Sequence, residues 1–134
     1  MNEIKLLDCT LRDGGYYNNW DFSENLVDRY LEAMSNCSVD YVELGFRSLS
    51  RVPFKGSLAF TTDDYLKKKI KSKKINLGVM INASEFINDS ISPTNYLSFL
   101  NSLFPKKFYH HMLNFVRVAC HESEILKTAK ICDF

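Results

Sequence analysis

The 134-residue chain has no long apolar run, no C-x-x-C pair, no phosphate-binding loop and no excess of charge of either sign. Each absence excludes something. No stretch approaches the ~18 apolar residues of a membrane span. The first residues, MNEIKLLDC, hold neither a basic n-region nor a long apolar h-region, so no secretory signal is expected. Seventeen basic residues against 16 acidic ones leave a net charge of +1. That balance gives no global reason to expect nucleic acid or a membrane as partner. The basic run KKKIKSKK at 67–74 reads as a solvated helix end with Ile70 inward. Cys9, Cys37, Cys120 and Cys132 are widely spaced, so reduced cysteines in a cytoplasmic protein are expected. The one Gly-Gly pair lacks dinucleotide-binding spacing.

What is present is a soluble globular composition, 46% hydrophobic and 25% charged. Ile4–Cys9 reads as a strand. Phe22–Asn36 reads as a helix, capped by Asp21 or Ser23, with Leu26, Val27, Tyr30, Leu31 and Met34 as its apolar stripe. Strand Tyr41–Phe46 is followed by a helix near Thr62–Ser72, and strand Ile75–Asn82 by a helix opened by Ser92-Pro93. That helix turns Tyr96, Phe99, Leu100 and Leu103 inward and stops at Pro105. Strand Phe115–Cys120 and helix Glu122–Cys132 complete the order. Four β-α repeats predict an α/β fold with a parallel sheet. At roughly 33 residues per unit, residues 1–134 have the length of half a (β/α)8 TIM barrel, with no second domain.

Side chains alternate across a strand. Val42, Leu44 and Phe46 share one face with Leu77, Val79 and Ile81 and with Val116, Val118 and Cys120. The opposite face carries Glu43 and Gly45, then Gly78, Met80 and Asn82, then Arg117, Ala119 and His121, and Asp8 and Thr10 extend it. Isolated charges on an inward face cost several kcal/mol per ion unless paired. The plain alternative is a structural network such as Glu43 with Arg117. Polar groups gathered toward strand C-termini otherwise mark a site. Past the first strand, Arg12 and Asp13 stand beside Gly14-Gly15, a pair that lets the backbone turn tightly toward a ligand. Arg47, just past Phe46, stands where a substrate carboxylate can dock.

DCTLRDGG at Asp8–Gly15, VDYVELGF at Val39–Phe46 and VRVACHESEI at Val116–Ile125 together resemble the start of the DRE-TIM metallolyase superfamily. That group includes hydroxymethylglutaryl-CoA lyase, 4-hydroxy-2-oxovalerate aldolase and pyruvate carboxyltransferase domains. The resemblance implies a metal-dependent carbon–carbon lyase that acts on a 2-oxo acid through an enolate. Asp13 would then ligate a divalent metal, Mn²⁺ or Mg²⁺ ahead of Zn²⁺. Arg12 would stabilise the enolate oxygen, and Glu43 would orient Arg12 or the site water. In the aldolase branch a His stands where this chain has Tyr16, so Tyr16, Tyr17 and His121 are the candidates to carry a proton. Arg47, Asn82 and His121 are expected at the substrate. The family completes its metal site with an H-x-H pair, which this chain lacks; His110-His111 read as surface residues. The chain is therefore expected to be the N-terminal half of such an enzyme, inactive alone, or to act as a homo-oligomer or with a complementing half-barrel. The alternatives are an acyl-CoA condensing enzyme of the same superfamily and a non-catalytic half-barrel.

Overall fold

The computed structural model describes residues 4–50, 54–69, 75–87, 95–105 and 112–132. Strands β1 (Leu7–Asp8), β2 (Tyr41–Phe46), β3 (Asn76–Asn82) and β4 (Phe115–Ala119) form one sheet in that order, each neighbouring pair parallel. The helices are α1 (Thr10–Asn18), α2 (Glu24–Asn36), α3 (Asp63–Lys69), α4 (Asn95–Leu103) and α5 (Ile125–Cys132). No helix among the described residues is long and apolar enough to cross a membrane.

Helix α2 follows the expected pattern. The Ser23 hydroxyl accepts from the Leu26 N–H at 3.3 Å, which satisfies an orphan donor of the first turn. Val27 and Leu31 are fully buried in a cluster with Val42, Leu44 and Leu77, and Tyr30 and Met34 pack beside them. Leu26 is 48% exposed, so the true stripe is Val27, Tyr30, Leu31 and Met34. Helix α4 buries Leu100 and Phe104 against Val79, Ile81 and Phe86, with Tyr96 and Leu103 alongside. Phe99 is exposed rather than inward. The inward set is spaced i, i+4, i+7 and i+8, which keeps one helical face toward the sheet. Ser92-Pro93, positions 70–74 of the basic run (Ile70 among them) and His110-His111 lie outside the described residues. Within that run Lys69 is not solvated. It is buried, and its ammonium donates to Asp28 at 3.0 Å and to the Glu24 carbonyl at 3.3 Å, tying α3 to α2.

The structure departs from the expected strands at two places. The first is β1, which is two residues long and gives way at once to α1. Asp8 pairs with Val42, on the helix-covered face and not the polar one. There it accepts from the Tyr30 hydroxyl, from the Thr10 N–H at 3.1 Å and from the Thr10 hydroxyl at 2.9 Å. Asp8 thus ends the strand and starts the helix. The second is a bulge in β2. Glu43 pairs with Gly78, but Gly45 pairs with Val79 and Phe46 with Met80. The extra residue, Leu44, reverses the parity behind it. Gly45 moves to the helix-covered face, where a Cβ would lie 2.0 Å from the Leu58 carbonyl of the short turn Ser57–Ala59. Phe46 moves to the face of Glu43.

Gly14-Gly15 do not form a tight turn. Both lie in α1, and the reversal follows at Asn19 and Trp20, with φ of 57° and 58°. A bulky residue at positive φ is strained by about 1–2 kcal/mol. Two contacts hold it. Trp20 donates from Nε1 to the Arg12 carbonyl at 2.9 Å, and its indole lies where a Cβ on Gly15 would sit, 1.9 Å from Cδ1. A Cβ on Gly14 would meet nothing nearer than Phe22 at 3.8 Å. The two glycines therefore predict opposite outcomes. Gly14→Ala gains about 0.5–1 kcal/mol from helix propensity. Gly15→Ala loses about 1–3 kcal/mol from overpacking. Urea unfolding followed by the fluorescence of Trp20, the sole tryptophan, measures both.

Candidate active site

Along the polar face the sheet is built in layers. At the N-terminal end the Tyr41 and Phe115 rings pack edge to face, 5.7 Å apart. Gly78 makes room for them, since a Cβ there would lie 2.1 Å from the Phe115 ring. Glu43 pairs with Gly78, and the next layer holds the bulge-shifted Phe46, Met80 and Arg117, from which Arg117 reaches back to Glu43. Beyond it lies Asn82, paired with Ala119.

Glu43 is fully buried and takes three N–H groups. Arg12 donates from Nε to Oε2 at 2.7 Å. Arg117 donates from Nε to Oε1 at 2.7 Å and from Nη2 to Oε2 at 2.7 Å, a two-pronged grip. Burial alone would push the Glu43 carboxyl up. The hydrogen bonds from Arg117 and Arg12, with their charges, outweigh it and hold the group below the usual range. Arg117 is raised by its bonds to Glu43; Arg12 is raised by the same carboxylate against a larger burial penalty. All three groups are therefore charged at neutral pH, and one negative charge is shared between two positive ones.

Arg12 reaches Glu43 because α1 starts directly after β1 and Trp20 pins its backbone. The outer end of its guanidinium donates from Nη1 to Asp13, whose side chain is 61% exposed. Asp13 lines an open depression along α1 with Cys9, Thr10, Gly14, Tyr16 and Tyr17. Cys9 forms its inner end, 3.7 Å from Arg117 Nη2. Burial and the nearby Glu43 charge raise the Cys9 thiol above its ordinary value despite the two arginines. It is held as a thiol and not as a nucleophilic thiolate. Tyr16 stands at the outer end with its ring edge-on to Trp20 at 4.8 Å and to Phe46 at 6.2 Å.

The structure thus brings Arg12, Asp13, Glu43 and Tyr16 together and adds Arg117. Arg47 is elsewhere. It is buried and its guanidinium is consumed by the Thr61 carbonyl at 3.0 Å, the Leu103 carbonyl and Asp63, with the Phe104 ring 4.9 Å away. These bonds tie β2 to α3 and α4, so Arg47 has no free edge for a substrate carboxylate. Asn82 lies at the C-terminal end of β3, half-buried, on the polar face. His121 is exposed beyond β4, and its N–H donates to Glu124 at 2.9 Å to open the turn before α5. Sequence reasoning gives Arg117 only a structural partnership with Glu43. Its place on the polar face is readable from strand parity, whereas its distance to Cys9 is not. Trp20 carries no signal in the sequence, because its positive φ is a tertiary outcome.

A divalent ion takes six or more donors. Asp13 is the only acidic side chain in the depression. Among the described residues no three His, Cys, Asp or Glu side chains converge on a common point. The described residues alone therefore do not fit a metal centre.

A solved structure shares this fold. The chain aligns over 98% of its length, with 31% identity and a TM-score of 0.77, to a crystal structure described as "the N-terminal domain of a putative aldolase from Bacteroides vulgatus". It spans 42% of that chain. No protein-family model matches the sequence, and no curated protein does. The fold is aldolase-like: a four-stranded parallel sheet with its helices.

Removing the Glu43 charge predicts a pH-dependent loss. Glu43→Gln leaves Arg117 without its counter-charge and Arg12 with only the exposed Asp13, and costs about 3 kcal/mol at pH 7, the low end for a broken buried pair because Arg117 is partly solvated. The native carboxyl is depressed, so the unfolded chain binds the proton first and stability rises with pH. The difference between wild type and Glu43→Gln is therefore full above the ordinary glutamate value of about 4.3 and shrinks as pH falls below it. Urea unfolding at pH 7 and at successively lower pH measures it.

Proposed function

We propose that this chain supplies the first four β-α units of a (β/α)8 barrel that breaks or makes a carbon–carbon bond beside the carbonyl of a 2-oxo acid. The sequential strand order, without a switch point, supports the barrel over a doubly wound sheet. The aldolase named in the similar structure supports the reaction class. One observation carries the reading. A buried carboxylate holds two guanidinium groups at the sheet, and Arg12 extends from it to the edge of an open depression.

Cleaving the bond, or removing a proton next to the carbonyl, leaves an electron pair that delocalises onto the carbonyl oxygen as an enolate. Arg12 meets that charge with a planar, permanently charged fork. Glu43 fixes its Nε edge and the Trp20 bond fixes its backbone, so little reorganisation is needed as charge develops. Arg117 grips the other side of Glu43 and keeps the carboxylate from turning away. Asp13 would hold a divalent ion, Mn²⁺ or Mg²⁺, only with further donors from outside the described residues. Such an ion would polarise the carbonyl.

A second reading has its own observation. Among the described residues no strand pairs with the outer edge of β1 or of β4, and no three metal ligands converge. The chain then works only with a complementing half-barrel.

Exchange of the pyruvate methyl protons in D₂O with MgCl₂, followed by proton NMR, isolates enolate formation. Exchange above the buffer rate is expected, with Arg12→Ala slowing it about 10²–10³-fold, as loss of an oxyanion donor does. Wild-type exchange in Arg12→Ala overturns the reading. Exchange that appears only after the part of the solved neighbour that this chain does not span is added supports the complementing half-barrel.

A further inference from the structure

The Tyr16 ring is a wall of the same depression that Asp13 lines, and Asp13 accepts from the Arg12 tip. It is 64% exposed, yet it is held, edge-on to Trp20 at 4.8 Å and to Phe46 at 6.2 Å. Trp20 and Phe46 also pack edge-on to each other at 5.2 Å, which closes a three-ring stack. The stack is anchored from below, since Trp20 is 7% exposed and Phe46 3% exposed. Beside it Tyr17 stands 96% exposed. Among the described residues the Tyr16 hydroxyl has no hydrogen-bond partner, so its contacts are those of its ring.

Helical spacing sets what the two ends of the depression do. Cys9, Asp13 and Tyr16 stand at i, i+4 and i+7, along one face of α1. A carbonyl placed at Arg12 and Asp13 would leave the rest of the molecule running outward over Tyr16. The groups around that outward path are aromatic.

We propose that Tyr16, backed by Trp20 and Phe46 and flanked by Tyr17, is the specificity-determining wall for an apolar tail on the 2-oxo acid. This rests on the enolate-forming reading of Arg12. It gives the Tyr16 ring a role in binding, in place of a proton carried by its hydroxyl.

Trp20 is the sole tryptophan and touches the wall, so its fluorescence reports on occupancy. Pyruvate and 2-oxooctanoate are titrated against the chain and its variants. The longer acid is expected to bind at least about tenfold tighter, given about 0.8 kcal/mol per buried methylene. Tyr16→Ala removes that preference, while Tyr16→Phe keeps it. Equal affinity for the two acids in the wild type, or a preference that survives Tyr16→Ala, overturns the wall and leaves the role of Arg12 standing, provided pyruvate binding still weakens in Arg12→Ala. Binding of neither acid overturns both. Loss of the preference in Tyr16→Phe also overturns the wall, because it assigns the effect to the hydroxyl.

Discussion

One buried carboxylate organises this sheet. Glu43 has no exposed surface, and an unpaired carboxylate there would have neutralised itself. It stays charged because three N–H groups reach it from two directions, α1 and β4. Those elements are far apart in sequence, at positions 12 and 117. The pairings β1 to β2, β2 to β3 and β3 to β4 must all be in register before the two guanidinium groups meet the same carboxylate. Substituting a hydrophobic residue of similar volume is often neutral or stabilising for a buried ion group. Stability alone therefore does not explain why these charges are placed there. What the network adds is a path from the sheet through Arg12 to Asp13 at the surface.

The rest of the local architecture serves that placement. Asp8 closes β1 after two residues and starts α1, so Arg12 falls one turn from the sheet. The positive φ at Asn19 and Trp20 folds the indole back onto Gly15 and the Arg12 carbonyl. The bulge at Leu44 turns Phe46 toward the site and Gly45 toward the helices. Each device costs something by itself: a strained backbone, a missing side chain, an interrupted ladder. Together they fix the backbone of α1 over the carboxylate.

Much of this is legible in the sequence, and the illegible parts share a cause. The β-α alternation follows from hydrophobic periodicity and capping residues, which are local. So does the face of β3 and β4, where parity is unbroken and Arg117 stands opposite Val116 and Val118. Parity fails in β2 because one inserted residue inverts everything behind it, and no local signal in YVELGF announces the insertion. Gly14-Gly15 suggests a turn because glycine permits one. The structure uses Gly15 for its missing Cβ against an indole five residues on, a tertiary reason invisible in the motif. Arg47 misleads for a similar reason. Its position past a strand end is that of a ligand-binding residue, but Asp63 and the end of α4 reach it first.

The balance of charge says what kind of ligand the depression is suited to. The inner layer holds two guanidinium groups and one carboxylate, a surplus of one positive charge. Asp13 cancels that surplus, but only through a bond to the outer nitrogen of Arg12 and from an exposed position. The two halves of Arg12 are thus held unequally. Its Nε edge is bound to a carboxylate that cannot move, and its tip to one that can be solvated or drawn to a cation. Any partner that engages Asp13 releases the Arg12 tip without releasing its root. On the proposed reading, that tip is the charge left to face an oxyanion. A lysine at position 12 would have one point of attachment in place of two edges and would lose this separation.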